Sequence, residues 1–241
     1  KLLGGEGSSN SSGNKFIYYA IRRPDPLVAK PPEYGENVFS IDNGHAVNIS
    51  NNYMKTTPVF DSASTVDFAL LKQVESNAEW YPGARLLQGR YFETSSTAAM
   101  TGTNQGWIFN NNYGWNGEMN TFNAANVWSW MFTRHKGFDF VCYDGWSISG
   151  RTVSHKLDQV PEMMWIKRRS GTEDWAVYHK DLNNGTNPAN YYLTLNSTQA
   201  EAVGSIYFNN TMPSKEYFTV GNSNRVNTNG ETYCAMLFAS V

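Results

Sequence analysis

The chain has 241 residues, 40% of them hydrophobic and 15% aromatic, which excludes a disordered tail and suffices for one large core or two smaller ones. Charged residues are only 17%, against about 25% in ordinary globular domains, and 19 Lys+Arg against 21 Asp+Glu leave a net charge of −2. The chain therefore offers no broad basic surface for nucleic acid, and no apolar run approaches the roughly 18 residues of a membrane-inserting span.

Short alternating or fully apolar runs, separated by Gly, Asn and Pro, predict a succession of strands. In chain order these are Phe16–Arg22, Asn37–Ile41, Val66–Lys72, Tyr91–Thr94, Trp107–Phe109, Asn126–Phe132, Phe138–Tyr143, Arg151–His155, Met163–Arg168, Trp175–His179, Tyr191–Leu195, Ser205–Phe208, Tyr217–Val220 and Thr232–Phe238. Helical turns are expected only at Ser95–Met100 and Ser197–Val203, where a Ser or Thr precedes Ala-rich sequence. The 27 Asn residues, with Ser, Thr and Gly, supply turns that hydrogen-bond their own backbone. The fold class read from this pattern is all-β, with sandwich units and few helical turns. Cys142 and Cys234 each sit in an apolar strand-like run and read as buried free thiols.

An internal repeat organises the chain. Leu71-Lys72 through Glu79-Trp80 aligns without a gap on Ile166-Lys167 through Asp174-Trp175. Further matches keep their order: Leu87 with Leu182, Ser96-Thr97 with Ser197-Thr198, Trp107–Asn111 with Ile206–Asn210, and Val127–Phe132 with Tyr233–Phe238. Ordered matches with loop-sized drift point to tandem duplication. Leu3–Ile21 also parallels Val220–Phe238 at constant offset, so the chain is expected to open inside a preceding repeat, either as a segment of a longer polypeptide or with a first hairpin that completes another chain's sheet. The expected organisation is a terminal hairpin over 1–23, a Pro-rich linker over 24–37, one β-sandwich unit over 38–136 and a second over 137–241. The short junction at Thr133–Gly137 predicts close packing of the two units.

The second unit carries Arg151–Leu157, Val160–Arg169, Asp174–His179, Tyr192–Thr198 and Thr232–Ala239. This series resembles a β-rich repeat unit of tail-fibre and other virion structural proteins of marine tailed phages. The likeness is good over 138–241, extends to 1–26 as the end of a preceding unit, and is weak over 38–135, where the Pro-Glu and Tyr-His positions are lost. The resemblance implies a concanavalin- or jelly-roll-like, lectin-like sandwich, a virion location, and a structural rather than enzymatic role. It implies association with other virion proteins and with further copies of the chain, with a homotrimer as the leading assembly. It supplies no catalytic residue and no cofactor.

Candidate site chemistry follows from residue types. Sugar rings stack on exposed Trp and Tyr faces while Asn side chains meet the hydroxyls. Asn112, Tyr113, Trp115 and Asn116 lie in an Asn/Gly-rich stretch with no apolar periodicity, and Trp146 lies in a second such loop. These five residues are the expected contacts to host surface polysaccharide. Trp80 and Trp175 recur at one repeat position beside a strand, which favours packing. Trp128 and Trp130 alternate along a strand, so both face one side, toward a neighbouring unit or chain. His155, His179, Glu173 and Asp174 fit no recognised metal-ligand spacing. Glu162, Glu173, Asp174 and Asp181 are the carboxylates a polysaccharide depolymerase would need. A carbohydrate-binding module on a capsid or other surface is the first alternative to a fibre segment, and such a depolymerase is the second.

Overall fold

The computed structural model describes residues 38–46, 54–55, 65–74, 77, 79–102, 107–109, 115–117 and 127–241. The expected hairpin over 1–23, with its strand Phe16–Arg22, and the linker over 24–37 lie outside the described residues. The described strands are β1 (Phe39–Ala46), β2 (Met54–Lys55), β3 (Phe68–Gln73), β4 (Trp80–Ala84), β5 (Trp107–Ile108), β6 (Asn116–Gly117), β7 (Val127–Phe132) and β8 (Phe138–Asp144). They continue with β9 (Arg151–Ser154), β10 (Met163–Arg168), β11 (Ala176–His179), β12 (Tyr191–Thr194), β13 (Ala202–Val203), β14 (Tyr217–Val220) and β15 (Thr232–Phe238). The one α-helical turn among the described residues is α1 (Ser205–Phe208). The chain is all-β.

Two antiparallel sheets dominate. One has five strands in the order β2-β1-β7-β3-β4, the other six in the order β13-β12-β11-β10-β15-β8. The run β1-β7-β3-β4 has the same order as β8-β15-β10-β11, and the register repeats with it. Phe68 pairs with Phe132 as Met163 pairs with Phe238. Leu71 pairs with Tyr81 as Ile166 pairs with Ala176. Phe39 pairs with Phe132 as Phe138 pairs with Phe238. The matched segments around Leu71 and Ile166 and around Phe132 and Phe238 thus occupy matching places in the two sheets, whereas Trp107–Ile108 is a strand and its sequence match Ile206–Tyr207 lies in the helical turn α1. Two short ribbons, β5-β6 and β9-β14, complete the strands.

Alternation along the central strands feeds separate cores, because successive side chains leave a strand on opposite faces. In the first sheet Ala69, Leu71, Val127 and Met131 pack outward against Trp107, Phe109 and Trp115. In the second, Tyr233, Ala235 and Leu237 pack outward against Val153, Phe218, Val220 and Phe208. The remaining faces meet one another: Phe68 and Leu70 share a core with Phe138, Phe140, Cys234 and Met236. Ring centroids across this contact lie 5.4 Å apart for Phe68–Phe138, 4.7 Å for Phe132–Phe138 and 5.7 Å for Phe132–Phe238. Burial on both faces explains why β15 reads as a continuous apolar run. Residues 31–241 accordingly cluster as one unit, with each repeat supplying one sheet and its own outer core.

The junction between repeats is clamped by two carboxylates. Asp67 accepts the Arg134 backbone N–H at 2.8 Å, and the Arg134 side chain donates to Asp139 at 2.7 Å. Asp139 is buried and also accepts the N–H groups of Phe140 at 2.8 Å and Lys156 at 2.7 Å. A buried carboxylate is tolerated only when its lone pairs are met in this way.

Local expectations fail where tertiary contacts override sequence pattern. Ser205–Phe208 is a helical turn, not a strand, and it delivers Tyr207 and Phe208 into the second outer core. Ser95–Met100 and Ser197–Val203 form no helix. In the first, Ser96 and Thr97 give their carbonyls to Trp175, Lys167 and Glu173 of the second repeat. Tyr91–Thr94 is reduced to bridges at Tyr91. The strand β4 escapes sequence reading because it contains Pro82 and Gly83, which an edge strand accommodates.

Candidate functional site

The site is built where the loop after β8 meets the loop before β15. Gly145 leaves β8 by donating to the Glu231 carbonyl at 2.7 Å. A Cβ at Gly145 would collide with the Thr228 carbonyl, so only glycine lets the two loops close. Asn227 then fixes the segment that follows. Its Oδ1 accepts the Trp146 N–H at 2.8 Å, and its Nδ2 donates to the carbonyls of Ile148 at 2.8 Å and Gly221 at 2.9 Å. Asn227 is fully buried. Ser147 donates its N–H to the Asn227 carbonyl at 2.8 Å, while its hydroxyl accepts the Asn229 N–H at 2.8 Å.

On this rigid base Trp146 stands 57% exposed, with Ile148 exposed beside it. The Arg151 guanidinium lies 4.4 Å from the centroid of the Trp146 ring and 5.4 Å from that of Tyr143. Arg151 Nη1 is buried without a hydrogen-bond partner. The indole is thus backed by a cation and held by hydrogen bonds to its loop, a pre-organised aromatic shelf with Asn and Ser at its rim. Replacing Asn227 by alanine removes three hydrogen bonds and strands two carbonyls and an amide. The expected cost is roughly 1–3 kcal/mol in denaturant unfolding; an unchanged midpoint and slope would show that the loop holds itself.

The other expected contacts part company with Trp146. Trp115 is corrected outright: it is 2% exposed, its ring stacks 4.4 Å from Trp107, and its Nε1 donates to the Ser129 hydroxyl at 2.9 Å. Both the ring and its polar edge are spent inside the first outer core, so no face remains for a sugar. Asn116 contributes backbone to β6, opposite Ile108. Asn112 and Tyr113 lie outside the described residues. Sequence reasoning missed Arg151 and Asn227. Arg151 begins β9, and only the fold brings it to the ring; Asn227 is one of many Asn in a loop.

The candidate carboxylates are dispersed and engaged. Glu162 pairs with Lys180 at 2.9 Å and accepts the Ser240 hydroxyl at 2.9 Å. The Lys180 hydrogen bond holds the Glu162 carboxyl below its usual range, the opposite of what a general acid requires. Asp174 is paired with Arg225 and bonded by Asn196, Glu173 lies 4.0 Å from Arg168, and Asp181 is exposed beside His179. His155 is buried on Phe218, with Nε2 3.1 Å from the Ser214 carbonyl. Burial lowers its pKa. No group of three or more potential metal ligands occurs among the described residues.

A family model described as a domain of unknown function matches residues 89–241. The chain belongs to the DUF7483 family. The DUF7483 region begins at Gly89, so it takes in the whole second sheet, the Trp146 shelf, β7, and the loop that closes over Trp175. No curated protein and no solved structure matches the chain.

Proposed function

We propose that this DUF7483 chain is a non-enzymatic structural module of a tailed-phage virion, a segment of a tail fibre or fibre-like appendage, that touches host surface polysaccharide through Trp146. The observation that carries the saccharide part is an exposed indole held on a hydrogen-bonded loop pair. A tryptophan left 57% open on a rigid base packs against Arg151, and most of its surface faces solvent. The guanidinium beside it favours sugars bearing carboxylate or sulfate groups. The virion assignment rests on the resemblance of residues 138–241 to marine phage repeat units. Self-association as a homotrimer belongs to the same proposal. Ile41 and Trp130, direct cross-strand partners, and Trp128 beside them are 46%, 38% and 40% exposed and offer the apolar surface for it.

Calorimetric titration of acidic host polysaccharide into the intact chain tests the saccharide part. Trp146→Ala should weaken binding at least about fivefold, the loss expected when a stacking platform worth roughly 1–3 kcal/mol is removed. The same substitution should shift unfolding by no more than about 0.5 kcal/mol, since the ring is largely outside the core. Equal affinity of wild type and variant would remove Trp146 as the contact. Release of reducing ends from the polysaccharide would replace the binding reading with that of a depolymerase.

A further inference from the structure

Cys142 on β8 and Cys234 on β15 are direct cross-strand partners. Their place in the ladder follows from its ends. The Gly145 N–H to Glu231 carbonyl bond marks that pair as hydrogen-bonded, and bonded and non-bonded pairs alternate along an antiparallel ladder. Counting inward, Asp144–Thr232 is non-bonded, Tyr143–Tyr233 bonded and Cys142–Cys234 non-bonded. The other side of β15 agrees. The Arg169 N–H bonds the Thr232 carbonyl at 2.7 Å, which directs the backbone of Cys234 toward Lys167 and away from Cys142. Non-bonded pairs bring Cα atoms to about 4.5 Å and side chains closest together, within the range a disulfide spans. Both side chains lie on the face between the sheets, Cys234 fully buried and Cys142 partly so.

We propose that Cys142 and Cys234 form a latent disulfide site that staples the edge strand of the second sheet. Among the described residues β8 is paired on one side only, by β15, yet it carries Phe138 and Phe140 into the core between the sheets. Fraying of β8 would open that core, and an Sγ–Sγ bond would prevent it. Burial pushes both thiols up, so oxidation waits on local opening of the edge or occurs during folding. With a small disulfide such as oxidised glutathione as the oxidant, each cysteine loses one hydrogen and the Sγ–Sγ bond forms. The two electrons and two protons reduce the oxidant to two thiols. The site does not depend on the proposed virion role or on saccharide binding.

The test is an equilibrium one. The reduced chain is refolded at pH 8 in glutathione buffers of graded redox poise, quenched in acid, and mapped by mass after non-reducing digestion; the series is repeated in 6 M guanidinium as the unfolded reference. A disulfide matched to the native strands should persist at a reduced-to-oxidised ratio at least about a hundredfold more reducing than in the unfolded chain, given the long loop it closes. A native midpoint equal to or more oxidising than the unfolded one would overturn the proposal. Cys142→Ser and Cys234→Ser should each abolish the linked peptide; a link that survives either change would show a different pairing, which also overturns it.

Discussion

Truncating Trp175 to alanine is expected to lower the free energy of unfolding by about 3–5 kcal/mol, whereas the same change at its repeat counterpart Trp80 should cost less than half as much. The two residues occupy one sequence position, but the folded chain treats them differently. Trp175 is fully buried, packs 5.5 Å edge-on to Phe92, and donates Nε1 to the carbonyls of Glu93 at 3.3 Å and Ser96 at 3.2 Å. It is therefore the pin on which the loop over residues 92–100 of the first repeat closes against the second sheet. Removing it opens a cavity and also strands two carbonyls. Trp80 is half-buried, with its ring edge-on to Trp130 at 4.9 Å, itself 38% exposed. Water can refill that site when the ring is cut back. Chemical denaturation of the two variants side by side reads the difference directly. Equal losses would mean that the sheets are held by their aromatic faces alone and that the loop contributes nothing.

How much of this was legible beforehand depends on whether the signal was local. β10, β14 and β15 fall where the sequence places them, because each is a short apolar run bounded by turn residues. The ordered matches between repeats align Phe132 with Phe238, and the structure gives both the same place in their sheets; the match of Trp107 with Ile206 instead joins a strand to a helical turn. Pairing between distant segments carries no such local mark. Nothing in the repeat says that the two sheets meet through equivalent faces, which makes Phe68, Phe132, Phe138 and Phe238 one cluster. The site shows the same limit. Asn and Gly around Trp115 read as an open loop, but the β5–β6 ribbon folds Trp107 and Phe109 back onto the ring and Ser129 of β7 takes its Nε1. Trp146 sits in equally polar sequence and stays outside because Asn227 and Gly145 hold its loop away from the core. Composition could nominate both rings but could not separate them.

Wild-type stability should rise between about pH 8 and pH 10.5 by roughly 3 kcal/mol relative to a Lys167→Met variant. Lys167 is fully buried on the inner face of β10, with Nζ donating to the carbonyls of Thr97 at 2.9 Å and Glu173 at 2.8 Å. The rings of Phe92 and Trp175 lie 5.8 and 6.0 Å away. Burial penalises the ammonium and brings the pKa down from 10.5 to about 8. The neutral amine keeps two N–H donors, enough for both carbonyls, so deprotonation relieves the desolvation without breaking the staple. In the folded chain the proton leaves near pH 8, while in the unfolded chain it stays until about pH 10.5. Across that window the unfolded state holds the extra proton, so raising the pH stabilises the fold. Below pH 7 both states are protonated and the difference between wild type and variant should be flat. Buried tyrosines such as Tyr178, pushed up to about 12, titrate in both proteins and cancel in the comparison. Methionine preserves the length and apolar character of the side chain but carries no proton, which isolates the effect. Denaturant midpoints of the two proteins at half-unit steps from pH 6.5 to 10.5 give the curve. A difference that does not change over the range would place the Lys167 ammonium in contact with water, and its contact with the loop over 92–100 would then be looser than the two short hydrogen bonds require.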